Sequence, residues 1–217
     1  MTSGAPLGSA EPIRIEQAEP VKRVQLLTHR EPAVTESTLP SLLSILDEAG
    51  VQVLVPAGEI VKHRLLTGYQ SSDGMGLKPG GEDLILVLGG DGSILRALAR
   101  EAGSGAPVIG VNFGRVGFLA SIERETLERD LRRALAGEYV VLGLPSLKAE
   151  WSEGEVLAVN DLALFRSGEA RIADLTYEVD GELVATVRCD GVVLSTPVGS
   201  TAYNLAAGGP TVSWRVR

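Results

Sequence analysis

Aromatic residues make up only 4% of this 217-residue chain. Any core must therefore be filled by Leu, Val, Ile and Ala. There is one cysteine, Cys189, which excludes an internal disulfide and suits a reducing compartment. The two histidines, His29 and His63, are too few for a His-rich metal site. No apolar run approaches the roughly 18 residues of a membrane span, so no membrane partner is expected. Positive charge is in deficit: 20 Lys and Arg stand against 28 Asp and Glu, a net charge of −8. That argues against nucleic acid as a partner, because such binders present a basic face. It also means that an anionic ligand must be met by local positive charge or a metal ion. The opening "MTSGAPLGSAEPIRIEQAEP" lacks an apolar signal core. Residues 1–21 are expected to form a disordered tail, and the cytoplasm is the expected location.

What is present is a β-α-β alternation. Val24 to Leu27 reads as a first strand. Leu39 to Ala49 carries Leu42, Leu43, Ile45, Leu46 and Ala49 at helical spacing, with Gly50 as a stop signal. Val51 to Pro56 is a second strand; Gly58 onward shows no clear pattern, and Thr67 to Gly81, rich in Gly, Ser and Pro, is expected to be a mobile loop. Leu84 to Leu88 is apolar at every position, as in a parallel strand covered on both faces. A helix follows from Ser93 to Ala102 with Ile94, Leu95 and Leu98 inward, then a strand from Pro107 to Phe113. Residues 123–137 form an amphipathic helix with Leu127, Leu131, Ala134 and Leu135 on one stripe. The fold class is therefore α/β: a doubly wound, Rossmann-like domain over 22–140. From Leu144 the period is nearer two. Leu175 to Arg188 forms two alternating runs around Asp180-Gly181, a hairpin signal, and 141–217 is read as a second, β-rich domain.

The stretch "LILVLGGDGSILRALAR" (Leu84 to Arg100) sets the chemical question. A buried strand runs straight into Gly89-Gly90-Asp91-Gly92, and a helix starts at once. In an open α/β sheet, ligands bind beyond the carboxyl ends of strands, and the amides of a helix N-terminus favour phosphate. Glycines remove the β-carbons that would hold a phosphate away. The Lys-Ser/Thr of a P-loop is absent. Asp91 has two readings: ordinary Asp-Gly-Ser turn and N-cap chemistry, or a base for an attacking hydroxyl or a metal-holding group.

Two further constellations stand out. Asn160-Asp161 interrupts an apolar run, as a turn or bulge does, or as an amide and carboxylate suited to the vicinal hydroxyls of a ribose. "CDGVVLSTPVGSTAYNLAAGGP" (Cys189 to Pro210) packs Ser195, Thr196, Ser200 and Thr201 among glycines, with Tyr203 offering a flat face and a polar tip. A polar loop leading into an Ala-rich helix is the plainer alternative. Positive charge is available at Arg96, Lys148, Arg166, Arg171 and Arg188. Arg96 lies about one helical turn past Asp91. Arg188 sits two residues before Asp190, on the same side of an extended strand, where it could neutralise a pyrophosphate.

Together, "GGDGS" (89–93), "NDLAL" (160–164) and "DGVVLSTPVGSTAYNLAAGGP" (190–210), with the link "NFGRVGFL" (112–119), resemble the NAD kinase family over residues 22 to 210. The resemblance implies phosphorylation of the adenosine-ribose 2′-hydroxyl of NAD to give NADP, with ATP or polyphosphate as donor and a divalent metal (Mg). It implies Asp91 as general base, with Gly92 and Arg96 beside the nucleotide. Asn160 and Asp161 would hold ribose hydroxyls, and Arg171, Arg188 and Asp190 would line the dinucleotide site. Thr201, Ala202, Tyr203, Asn204, Leu205 and Ala206 would pack along the NAD, and Phe118 would lie near the adenine. It also implies a homo-oligomer. The sequence departs from the family pattern at Ser93, Asp161 and Ala206, where Thr, Glu and Ser are usual.

After "GGP" the chain continues "TVSWRVR", unlike the family. The second domain is therefore expected to be incomplete, in a fragment or the product of a shifted reading frame. Two other functions remain open from the sequence. One is a lipid (diacylglycerol-type) or sugar-phosphate kinase sharing only the glycine turn. The other is a dinucleotide-binding fragment that performs no transfer.

Overall fold

A computed structural model describes residues 19–73, 75–77, 83–102, 104–115, 117–167, 172–214 and 216. Most of the expected tail (1–18), parts of the expected mobile loop (74 and 78–81) and Arg171 lie outside the described residues. The chain divides into two compact units at Gly143–Leu144.

The first unit is built on a five-stranded parallel sheet. Its strands are β1 (Arg23–Thr28), β2 (Gln52–Val55), β3 (Gln70–Ser71), β4 (Asp83–Gly89) and β5 (Val108–Asn112), in the order β3-β2-β1-β4-β5. The chain winds outward from β1 through β2 to β3, then returns to place β4 on the other side of β1. The junction of β1 and β4 is thus the point where the direction of winding reverses, the usual crevice for ligands in such sheets.

Side-chain alternation divides the core between the two faces. Val24 and Leu26 of β1 and Leu84, Leu86 and Leu88 of β4 pack with α1 (Leu39–Glu48) and α4 (Leu127–Leu135). Leu27, Ile85 and Val87 face the other way, against Ile94 and Ala97 of α3 (Asp91–Arg100). Every residue of β4 is buried, as a strand covered on both faces requires. The α4 stripe is buried as expected: Leu127, Leu131, Ala134 and Leu135 all point inward. In α3, Ala97 is buried, while Leu95 is only half-buried.

Two expectations are revised. Residues 57–66, where the sequence gave no clear pattern, form a helix, α2 (Ala57–Lys62), and a 3₁₀ turn over Arg64–Leu66, and the expected mobile loop contains the short strand β3. Val21, assigned by sequence to the tail, is buried and donates its amide to the Leu135 carbonyl at 2.9 Å.

The second unit is built from antiparallel pairs. β6 (Leu147–Trp151) pairs with β7 (Gly154–Ala158). β8 (Asp161–Phe165) pairs with β11 (Gly191–Ser195), and β9 (Ala173–Val179) with β10 (Glu182–Cys189). The β9–β10 turn has Asp180 at φ 53° and Gly181 at φ 80°. Two successive left-handed residues match the twist of a two-residue hairpin and explain the Asp-Gly choice. A short helix, α5 (Tyr203–Ala206), follows a 3₁₀ turn over Gly199–Thr201. Leu164, Phe165, Leu183, Val184, Val187 and Leu194 are exposed in this unit. No helix among the described residues is long and apolar enough to cross a membrane.

Candidate functional site

The glycine turn leaves the buried strand β4 at the point where the winding reverses. Thr28 at the end of β1 is in register with Leu88, and Asn112 at the end of β5 with Gly89. The three glycines have different tasks. A β-carbon on Gly89 would meet Ser93 Cβ at 2.5 Å, so this glycine lets α3 start against the strand. One on Gly90 would stand 3.3 Å from the Gly114 α-carbon, so here two stretches of main chain touch. Only Gly92 of the three faces open space, with nothing within 4 Å. Close approach of a ligand is therefore available at Gly92 alone, whereas the sequence reading gave that purpose to the whole turn.

Gly90 occupies the N-cap position and Asp91 is the first residue of α3, with no side-chain cap. The plain N-cap reading of Asp91 is thus set aside. Its carboxylate instead reaches across to the segment after β5: Oδ2 accepts from the Phe118 amide at 3.0 Å and Oδ1 from the Leu119 amide at 2.9 Å. Arg96 donates through Nη2 to Ser93 Oγ at 3.1 Å, so its guanidinium lies along the first turns of the same helix.

A buried polar cluster that the sequence did not reveal occupies the same edge. The Thr28 hydroxyl lies 2.5 Å from Glu59 Oε2 and 3.0 Å from His63 Nε2. A carboxylate can only accept. The hydroxyl therefore donates to Glu59 and accepts from His63 Nε2, which leaves Nδ1 bare, buried and without a partner. Lys62 is ion-paired with Glu59 at 2.8 Å and donates to the carbonyls of Thr28 and His29. Burial is the main cause that holds the His63 pKa below its ordinary value. Lys62 adds to the depression, while Glu59 and Glu36 oppose it.

In the second unit the fold joins two stretches that sequence could only record as separate. Asp161 of β8 is directly opposite Ser195 of β11. Beyond them the Thr196 amide donates to the Asn160 carbonyl at 2.8 Å, and Thr196 Oγ1 donates to Val159 at 2.6 Å and accepts from the Gly199 amide at 3.0 Å. Asn160 Oδ1 is buried and has no partner. An acceptor that has lost water without replacement costs roughly 1–3 kcal/mol, and a donor supplied by a ligand would remove that cost.

Arg188 and Asp190 do not share one extended strand. β10 ends at Cys189 and the chain changes sheet partner at Asp190, so each finds its own counter-ion. Arg188 makes a two-pronged pair with Asp174 at 2.9 and 3.2 Å, and Arg166 pairs with Asp190 at 2.8 Å. Both pairs are exposed, and such pairs are readily exchanged for a ligand's charge. Tyr203 and Phe165 form a tilted aromatic pair, 6.2 Å between centroids. Thr201, Leu205 and Ala206 are exposed and Ala202 is half-buried. The Asn204 side-chain amide donates to the Ser200 and Pro210 carbonyls at 3.2 and 2.9 Å, tying α5 to the turn that follows it.

A sheet wound in this order, with a glycine turn where the winding reverses and a β-rich second unit, defines a doubly wound α/β protein. Residues 26–139 match the ATP-NAD kinase N-terminal domain and residues 159–217 the ATP-NAD kinase C-terminal domain. The chain belongs to the ATP-NAD kinase family. It is 43% identical over 144 residues to an NAD kinase of Leifsonia xyli subsp. xyli, an alignment covering 64% of this chain and 47% of that protein. It is 34% identical over 201 residues to one of Corynebacterium diphtheriae, covering 88% and 63%. The chain thus spans about half to two-thirds of the length of these relatives. Among solved structures, an NAD kinase from Archaeoglobus fulgidus in complex with ATP superposes with a TM-score of 0.66 at 28% identity, covering 89% of this chain and 68% of that one. Yeast NADH kinase complexed with NADH gives 0.74 at 23% identity, covering 91% and 64%.

Proposed function

We propose that this chain is an NAD kinase: it transfers the terminal phosphoryl group of ATP to the 2′-hydroxyl of the adenosine ribose of NAD, giving NADP and ADP. The observation that carries the reading is Asn160. Its Oδ1 is a buried acceptor without a donor, beside the Asp161–Ser195 pairing that joins two of the family's stretches. A ribose hydroxyl is a donor of the required kind.

In this reading Asp91 accepts the 2′-hydroxyl proton as the oxygen attacks. A bond forms from that oxygen to the γ-phosphorus, the bond from phosphorus to the β–γ bridging oxygen breaks, and ADP leaves. The rest is positioning and charge. The open backbone at Gly92 takes a phosphate, and Arg96 lies beside it. Asn160 and Asp161 orient the ribose. Arg188 and Asp190 exchange their surface partners for the dinucleotide, and Arg171 contributes a further charge. Thr201, Ala202, Tyr203, Leu205 and Ala206 pack along the NAD, with Asn204 shaping that turn. Residues 22–140 supply the turn chemistry and 141–217 the dinucleotide contacts.

No group of three or more His, Cys, Asp or Glu among the described residues could hold a metal ion. The described side chains therefore do not fit a resident divalent-metal site. A magnesium ion in this reaction enters on the oxygens of the triphosphate, as part of the substrate. Polyphosphate as an alternative donor to ATP, a homo-oligomer and a cytoplasmic location complete the proposal.

The test is direct. The purified protein is given NAD and magnesium-ATP, and NADP is read by a dehydrogenase specific for it. NADP formation supports the assignment. Phosphorylation of a diacylglycerol or a sugar phosphate without NADP would move it to another kinase class. Calorimetric binding of NAD with no NADP formed would make it a dinucleotide-binding module.

A further inference from the structure

Asp91 touches something besides solvent. Both of its carboxylate oxygens are taken by main-chain amides of Phe118 and Leu119. These lie 27 and 28 residues further along the chain, in a segment with no regular structure of its own. The same segment is seated from below by the Gly90–Gly114 contact, where a β-carbon on either residue would come within 3.0–3.3 Å of the other's α-carbon and force it to give. Asn112 holds its near end: Oδ1 accepts from the Gly114 amide at 2.9 Å, and Nδ2 donates to Glu123 at 3.2 Å. Gly117 has φ 74° and a β-carbon there would collide with the Asn112 amide at 2.5 Å. At the far end Leu119 and Ala120 pack against the cluster of Ile85, Val87 and Ile94, and among the described residues the side-chain hydrogen bonds to the Phe118 and Leu119 amides come from the carboxylate of Asp91. Yet the Phe118 ring is 68% exposed, so packing of that ring does not hold the segment in place.

We infer that Asp91 is also the positioning residue for 117–119: its negative charge clamps two amides and so sets where the Phe118 ring stands. The physical ground is simple. Hydrogen bonds to an ionised acceptor are about twice as strong as neutral ones. This inference rests on the kinase reading in one respect: if Asp91 accepts the substrate's proton, one of its two amide bonds is given up in the same step, so the chemistry and the placing of the Phe118 ring are coupled.

The experiment reads amide exchange at single residues in the ligand-free protein. In wild type the Phe118 and Leu119 amides should both be protected from exchange. In Asp91→Ala both should exchange at least 10-fold faster, while the amides of Leu86 and Val87 in β4 stay protected. In Asp91→Asn, which keeps one acceptor, one amide should be released and the other retained. Unchanged exchange at 118 and 119 in Asp91→Ala would overturn the clamp. So would unprotected exchange at both amides in wild type, which also decides the matter if the variants fail to fold. None of these readouts depends on NADP formation. A clamp without activity sinks the kinase reading alone, and activity without a clamp sinks this inference alone.

Discussion

Gly199 presses against the main chain of Asn160 so closely that a β-carbon at 199 would stand 1.9 Å from the Asn160 carbonyl oxygen and 2.6 Å from its α-carbon. The obstacle is backbone, locked further by the Thr196 bonds to Val159 and Asn160, so it cannot swing aside. Gly199→Ala is expected to cost at or above the top of the usual ~1–3 kcal/mol for overpacking and to displace Asn160. Urea denaturation of the variant and calorimetric titration with NAD would check it. Wild-type stability with wild-type NAD affinity would show that the Asn160 crossing is not rigid.

Arg23 and Asp83 face each other at the amino ends of β1 and β4. The Arg23 Nε donates to Asp83 Oδ1 at 2.6 Å, and a second prong closes the pair. Asp83 is 1% exposed. Asp83→Ala takes both of these oxygens from the guanidinium and should destabilise the protein, by up to about 3–5 kcal/mol. Replacing both residues, Arg23→Met with Asp83→Leu, should recover most of the loss, because an apolar pair carries no uncompensated charge. A denaturant series on the single and double variants measures the difference directly.

Much of this architecture could be read in advance, for physical reasons that also explain the failures. β4 and α4 declared themselves because their burial follows the simplest rules: an unbroken apolar run for a two-sided strand, and a 3.6-residue stripe for a helix on one face. Asp180-Gly181 declared itself because few other pairs tolerate two left-handed residues. α2 was invisible because it inverts the pattern. It buries Glu59 while Val61 is 87% exposed, and a six-residue helix held by a buried Thr28–Glu59–His63 network leaves no amphipathic trace. The chemistry of Asp91 was legible as a carboxylate among glycines. Its second attachment, to amides 27 and 28 residues away, was not, because main-chain donors leave no residue signature. Nor could one extended run show that the chain changes sheet between Arg188 and Asp190.

Asp91→Asn is expected to lower the rate of NADP formation by roughly 10²–10⁴, the usual worth of a general base, while NAD still binds. Steady-state kinetics with parallel NAD calorimetry would test this. A variant turning over at the wild-type rate would remove Asp91 from proton transfer.

His63 predicts an acid-sensitive fold. Its pKa is lowered from the ordinary 6.5, chiefly by burial, so the unfolded chain takes up a proton before the folded one does. Stability from this group is complete above pH 6.5 and is lost as pH falls below it. The slope cannot exceed about 1.4 kcal/mol per pH unit for one proton. The cause is concrete: protonation places an N–H at Nδ1, which is buried with no acceptor. The midpoint of denaturation measured between pH 7.5 and 5.5 should fall in wild type and fall less in His63→Gln. Parallel curves for the two proteins would exclude His63 as the source.

Gly92 allows stability and ligand approach to be separated at a single atom. It lies in the first turn of α3, and a β-carbon there meets nothing within 4 Å. In a helix, alanine is favoured over glycine by roughly 0.5–1 kcal/mol, because glycine loses more conformational freedom on folding. Gly92→Ala should therefore make the protein more stable by about that amount. If the open space is where a phosphate comes close to the backbone, the same methyl group will hold it away, and the KM for ATP should rise at least 10-fold. Gly90→Ala provides the contrast, since its β-carbon would push into Gly114 and should lower stability. A rise in stability with unchanged ATP kinetics at position 92 would mean that the phosphate does not pass over this turn.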